Sequence, residues 1–288
     1  MPDILIRRPP PPPSGPPPIE QVNVPLQIVF IVFLSLGLAG NLAMLLTAIF
    51  AKRVVRHISW INFCVAWVVF SISYMLLFLA NAEGNKPPPS YQLCLTQAGL
   101  VYGAPVLTAY ATVALVIEVV VSTRAFITNS TKKSPMYRVV VLLVIPYVLW
   151  FAVFLAALIS GAMYPKTVNK DGGDGGLYCQ IMTGIPGRVV AVLVGIALVL
   201  SFSLEVYLGV MLRKNWRAIG DQRSKLPLSM MLRVTIFMGG SGLAFSTVFV
   251  FLSKMFEISN LVMAIMPFLS FLAFGTQRDI ISVWTFRK

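Results

Sequence analysis

The chain has 288 residues, 57% of them hydrophobic and only 11% charged, whereas an ordinary soluble domain carries roughly 25% charged residues. So little polar surface excludes a globule in water, and a mean hydropathy of +0.82 points to an integral membrane protein. The net charge of +13 then becomes a question of which side of the bilayer holds the Lys and Arg, and no nucleic-acid partner is implied.

Residues 1–24 contain two proline runs, Pro9–Pro13 and Pro16–Pro18, which read as an extracellular polyproline II tail. Arg7 and Arg8 precede prolines rather than an apolar run, so the first membrane helix is expected to act as the signal. Residues 25–275 then hold seven apolar segments, at Pro25–Ala51, Ile58–Ala82, Tyr91–Val121, Val139–Met163, Val189–Leu212, Leu226–Leu252 and Ile258–Gly275. These are continuous runs, not alternating stretches of about ten residues, so the expected architecture is an all-α bundle of seven transmembrane helices rather than a β-barrel. The third segment is the longest: at ~1.5 Å per residue it would reach about 46 Å, beyond a ~30 Å hydrocarbon core, so it must tilt or protrude.

Lys and Arg gather on the side that follows the odd-numbered segments: Lys52, Arg53 and Arg56; Arg124, Lys132, Lys133 and Arg138; Arg213, Lys214, Arg217, Arg223, Lys225 and Arg233; and, after the seventh, Arg278, Arg287 and Lys288. That asymmetry places the N-terminus outside and the C-terminus in the cytoplasm. Gly275 reads as a C′ glycine and Thr276 as the N-cap of a further helix. Residues 276–288 put Ile280, Val283, Trp284 and Phe286 beside Arg278, Arg287 and Lys288, as in a short amphipathic helix on the inner leaflet.

Chemistry-bearing residues are sparse. The single histidine, His57, reads as a surface residue in a basic loop. The three cysteines are not spaced for a metal site, and no catalytic, metal or cofactor constellation is apparent. Cys94 and Cys179 both fall on the expected outer face, an oxidising compartment in which free thiols are uncommon. A Cys94–Cys179 disulfide is the expectation, two unpaired cysteines the alternative. It would pin the loop Tyr164–Gly187, with its DGGDGG run at 171–176, to the top of the third helix. Cys64 reads as a buried thiol.

Taken together, these features resemble the rhodopsin-like G-protein-coupled receptors, in the divergent form of fungal receptor-like proteins. The features are seven segments, an outer N-terminus, a cysteine opening the third helix, a partner cysteine in the second outer loop and a helix after the seventh span. Gly40-Asn41 matches the family's Gly-Asn pair in helix one. Glu118 stands at the acid of its Asp/Glu-Arg-Tyr motif, Trp150 at the tryptophan of helix four and Pro267 at the proline of Asn-Pro-x-x-Tyr. Val119 and Val120 occupy the arginine and tyrosine positions, and Met266 and Ser270 flank Pro267 where the family has asparagine and tyrosine. Helix six carries Gly239-Gly240-Ser241-Gly242 in place of Cys-Trp-x-Pro. The resemblance implies a plasma-membrane protein that senses an extracellular ligand and relays it to a heterotrimeric G protein by moving its cytoplasmic helix ends. The alternatives are a seven-helix transporter or channel, or a non-signalling relative of the receptors. A retinal protein is excluded by the lack of a lysine in the seventh segment.

Three ionisable residues lie near the inner ends of helices: Glu118, Glu205 and Arg233. Such groups are costly in hydrocarbon. Arg233 is expected to pair with Glu118 or Glu205 as a lock, unless all three simply snorkel to the interface. A ligand pocket is expected between the helices beneath the outer loop, lined by Gln97, Val101, Pro105 and Thr108 of helix three and by Phe245, Phe249 and Met263 of helices six and seven. Val101 stands where amine receptors carry an aspartate, so the expected ligand is an apolar small molecule such as a lipid, sterol or volatile compound.

Overall fold

A computed structural model describes residues 24–51, 56–82, 89–128, 135–170, 177–215, 232–237, 239–240, 242 and 256–285. Almost all of these are helical. The helices are α1 (Val24–Phe50), α2 (Ile58–Leu79), α3 (Tyr91–Ile127), α4 (Met136–Met163), α5 (Ile185–Lys214), the helical stretch 232–237 (α6), α7 (Phe256–Gly275) and α8 (Arg278–Trp284). Among the described residues, the first five are long and apolar enough to cross a bilayer. Helices suit these sequences because hydrocarbon offers no partner to a backbone N–H or C=O, and a helix satisfies them internally. The proline-rich tail, the DGGDGG run and most of the expected sixth span lie outside the described residues.

Local chemistry sets the helix ends. Ser90 caps α3 by accepting from the Leu93 N–H at 3.4 Å, and His57 caps α2 through Nδ1, which accepts from the Ser59 N–H at 3.3 Å. His57 is exposed, as expected of a surface residue, and the cap gives it a structural task besides. Gly184, in the left-handed region at φ +69°, turns the chain into α5, whose second residue is Pro186. α3 runs through Pro105 to Ile127, six residues beyond its expected end.

Two expectations at the C-terminal corner are corrected. Gly275 is the last residue of α7, not a left-handed C′ glycine; a Cβ there would lie 2.8 Å from the Phe271 ring and 3.4 Å from Met44 Sδ, so close packing accounts for it. The N-cap of α8 is Gln277, because the Thr276 hydroxyl donates back to Leu272 O at 2.8 Å.

α3 is the central helix, packed on α2, α4 and α5, and α1 packs between α2 and α7. α4 and α5 turn large apolar side chains outward, among them Val144, Val148 and Phe151, and Val192, Val199 and Phe202. On a soluble protein such a surface would be a liability; here it suits the bilayer. Where α1 meets α7 the backbones approach closely. A Cβ at Gly37 would come within 2.5 Å of Pro267 Cβ and 2.9 Å of Phe268 N, and one at Gly40 within 2.3 Å of the Phe271 ring. Small residues at such crossings are the usual means of packing helices where lipid supplies no hydrophobic drive. At Gly239, Gly240 and Gly242 no described atom lies within 4 Å of a Cβ position, so the close packing seen at Gly37 and Gly40 is not repeated there among the described residues.

The link between α4 and α5 is a short antiparallel hairpin, β1 (Val168–Asn169) paired with β2 (Gln180–Ile181), preceded by a single 3-10 turn at Pro165–Thr167. It lies across the end of the bundle that carries Cys94.

Candidate functional site

A disulfide joins Cys94, in the first turn of α3, to Cys179, beside β2. Both are buried, as is the free Cys64. Around this bond, side chains of α3 and of the link itself tie the hairpin and the neighbouring helix ends together. Tyr102 of α3 accepts from the Ile181 N–H and donates to the Ile181 carbonyl, both at 3.2 Å. Tyr91 donates to Gly161 O at 3.0 Å. Lys170, 6% exposed, reaches Ala82 O beyond α2 at 3.3 Å.

The residues before Cys179 turn inward. Leu177 is buried, and Tyr178 lies between helices: its ring sits 5.3 Å from Tyr74 of α2 and 6.3 Å from Phe30 of α1, and its hydroxyl donates to Asn260 Oδ1 of α7 at 2.8 Å. Phe70 stacks on Tyr74 at 4.6 Å. An aromatic cluster from α1, α2 and the loop therefore fills the space beneath the hairpin.

This alters the roles of the expected pocket residues. Gln97 is fully buried, and its amide is consumed by the fold: Oε1 accepts from the Cys179 N–H at 3.0 Å, while Nε2 points at Tyr74 O and Ser73 O at 3.4 and 3.5 Å. Thr108 is buried and donates to Ala104 O and Pro105 O of its own helix, as hydroxyls in apolar helices do. Val101 is a core residue, Pro105 is half-buried, and Met263 packs against the same core. Phe245 and Phe249 lie outside the described residues.

A second polar cluster joins α1 to α7. Asn41 is fully buried; its Nδ2 donates to Gly37 O at 2.7 Å and to Pro267 O at 2.9 Å, and its Oδ1 accepts from Ser270 at 2.9 Å. Asn41 and Pro267 thus meet in space, and Ser270 completes the joint. Trp150 packs on α3 at Gly103, where a Cβ would lie 2.7 Å from the indole.

The opposite end of the bundle holds the charges, and here the expected lock is corrected. Glu118, 8% exposed, faces His57 Nε2 at 3.3 Å and Arg138 Nη2 of α4 at 3.7 Å. Glu205 makes no ion pair among the described residues, and its Oε1 is buried without a hydrogen-bond partner. Arg233 instead donates to Ala273 O at 2.6 Å, to Thr276 O at 2.9 Å and to the Thr276 hydroxyl. A guanidinium on the last carbonyls of a helix satisfies acceptors that have no intrahelical donor and meets the negative end of the helix dipole. That alternative is open to Arg233 because α6 lies beside α7: Phe237 packs on Phe274 at 5.9 Å and on Phe63 of α2 at 5.7 Å.

Several of these residues escaped sequence reasoning. Asn260 was detectable as an amide in an apolar span, which is costly unless partnered; Asn41 was named from its place beside Gly40, but not as a joint to the seventh span. Tyr178 was detectable only as the neighbour of Cys179. Tyr102 carried no signal. Among the described residues, no three His, Cys, Asp or Glu side chains gather to hold a metal. No protein-family model matches the chain, and no curated protein matches it.

Proposed function

We propose that the chain is a receptor-like protein of the plasma membrane: a seven-helix bundle with its N-terminus outside and its C-terminus in the cytoplasm, akin to the rhodopsin-like G-protein-coupled receptors in the form fungi carry. It senses an extracellular apolar small molecule and relays the signal by displacement of its cytoplasmic helix ends towards a heterotrimeric G protein. The observation that carries this reading is the Cys94–Cys179 bond, which anchors a hairpin across one end of a bundle centred on α3. The Asn41–Pro267–Ser270 joint between α1 and α7 adds support. The underside of the hairpin is packed by Phe30, Phe70, Tyr74, Val101 and Tyr178, which an apolar ligand would part on entry; these five side chains carry no counter-charge for an amine.

The test is to purify the full chain in lipid nanodiscs with a heterotrimeric G protein and screen fatty acids, sterols and volatile hydrocarbons for ligand-dependent nucleotide exchange. Exchange stimulated by at least one class supports the reading. No exchange and no ligand-induced thermal shift across all three classes would reject it. Orientation is tested separately: a glycosylation sequon engineered at residues 166–177 is expected to be used and the native Asn129 sequon left bare, and the reverse pattern overturns the topology.

A further inference from the structure

Two adjacent residues at the start of α2 hold two different acids. Arg56 pairs with Asp279 of α8, its guanidinium also lying 5.4 Å from the ring of the fully buried Trp60. His57 faces Glu118 of α3 at 3.3 Å. The histidine is aimed by its own capping bond: with Nδ1 accepting from the Ser59 N–H, the neutral ring carries its hydrogen on Nε2, towards Glu118. Beyond the two acids lie two groups of helices. Glu118 also meets Arg138, so α3 and α4 lie on one side. On the other, α8 is bonded to α1 through Trp284 Nε1 and Thr47 Oγ1 at 2.9 Å, and the α7 end just before it is capped by Arg233 of α6. Among the described residues, no hydrogen bond or ion pair joins α3 or α4 directly to α8 or to the end of α7.

We propose that the Arg56–His57 dipeptide is a two-armed coupling that transmits displacement of the α7–α8 corner to the Glu118 end of α3. The two residues are joined by one planar peptide unit and the His57 ring is tied to the start of α2 by its bond from the Ser59 N–H, so a shift of Asp279 that drags Arg56 pulls on that start and moves His57 Nε2 relative to Glu118. Arg56 is suited to the load: its side chain is 15% exposed and held against a tryptophan face, a geometry in which a guanidinium keeps its orientation. The coupling stands whether or not the protein binds a G protein, because it concerns the rest structure alone.

The test places spin labels at Ser122→Cys on α3 and Ile281→Cys on α8, both exposed, in the full chain in nanodiscs. Cys64 is buried and the other two cysteines are bonded. The label distance and the Tm are read in the parent, in Asp279→Asn, in Glu118→Gln and in the double variant. His57→Asn, which keeps a good N-cap for α2 while withdrawing the bond to Glu118, serves as a second way to cut that arm. One narrow distance is expected in the parent and a broadened, shifted distribution in each single variant. The double variant is expected to lose little more Tm than the worse single one, because either cut uncouples both arms. Unlinked pairs would behave independently: Tm losses that add in full, or a parent-like distance in Asp279→Asn or in both Glu118→Gln and His57→Asn, would overturn the proposal.

Discussion

Asn41→Ala offers the most direct test of the packing described above. The side chain is fully buried and makes three hydrogen bonds, two of which cross to α7. Interhelical hydrogen bonds in membranes average ~0.6 kcal/mol and reach ~1.7 kcal/mol. Losing two therefore costs about 1–3 kcal/mol, since the bond to Gly37 O is local to α1 and adds nothing between helices. The readout is reversible unfolding in mixed micelles titrated with a denaturing detergent, followed by tryptophan fluorescence, in which the reference state keeps its helices. Ser270→Ala removes one of the same bonds and is expected to cost about 0.6 kcal/mol. The double variant should match Asn41→Ala within about 0.5 kcal/mol, because the serine bond is already lost. A cost for Asn41→Ala below about 0.5 kcal/mol, or full additivity with Ser270→Ala, would refute the reasoning.

Four further outcomes are expected. Gly37→Ala places a methyl 2.5 Å from Pro267 Cβ and 2.9 Å from a backbone nitrogen and should destabilise by about 1–3 kcal/mol through overpacking. Gly209→Ala, with no described atom within 4 Å of its Cβ position, should be neutral or stabilising by up to about 1 kcal/mol in the same assay. Tyr102→Phe leaves the Ile181 N–H, on a residue 2% exposed, without its partner; the cost is about 1–3 kcal/mol, and hydrogen exchange at Ile181 should accelerate. Alkylation of the unfolded, unreduced chain should label one thiol, Cys64, and labelling after reduction should reach all three cysteines.

Much of the scaffold was legible along the chain. Six of the expected spans correspond to helices that begin or end within a few residues of the apolar runs, because the length of an apolar stretch is a local property that burial cannot rewrite. Cys94 and Cys179 could be paired from the side of the membrane each was expected to occupy. Glu118 was recognisable as a residue in need of a partner. Its partner was not recognisable: His57 was read as a surface residue, Arg138 only as one charge of a basic loop, and Arg233 was drawn instead to the carbonyls at the end of α7. Gln97 was assigned to a ligand, yet the Cys179 N–H and two carbonyls of α2 engage its amide.

The amino-acid sequence by itself determined that the chain lives in a bilayer, where its spans lie, and which few polar groups had to find partners there. The tertiary structure alone decided which way each span faces. α1 and α3 are apolar around most of their circumference, so no stripe marks the inward face, and helix rotation follows from contacts between residues as far apart as Asn41 and Ser270. Those contacts made Asn41 a joint, Tyr178 a filler beneath the hairpin, and the neighbours Arg56 and His57 the holders of two different helices.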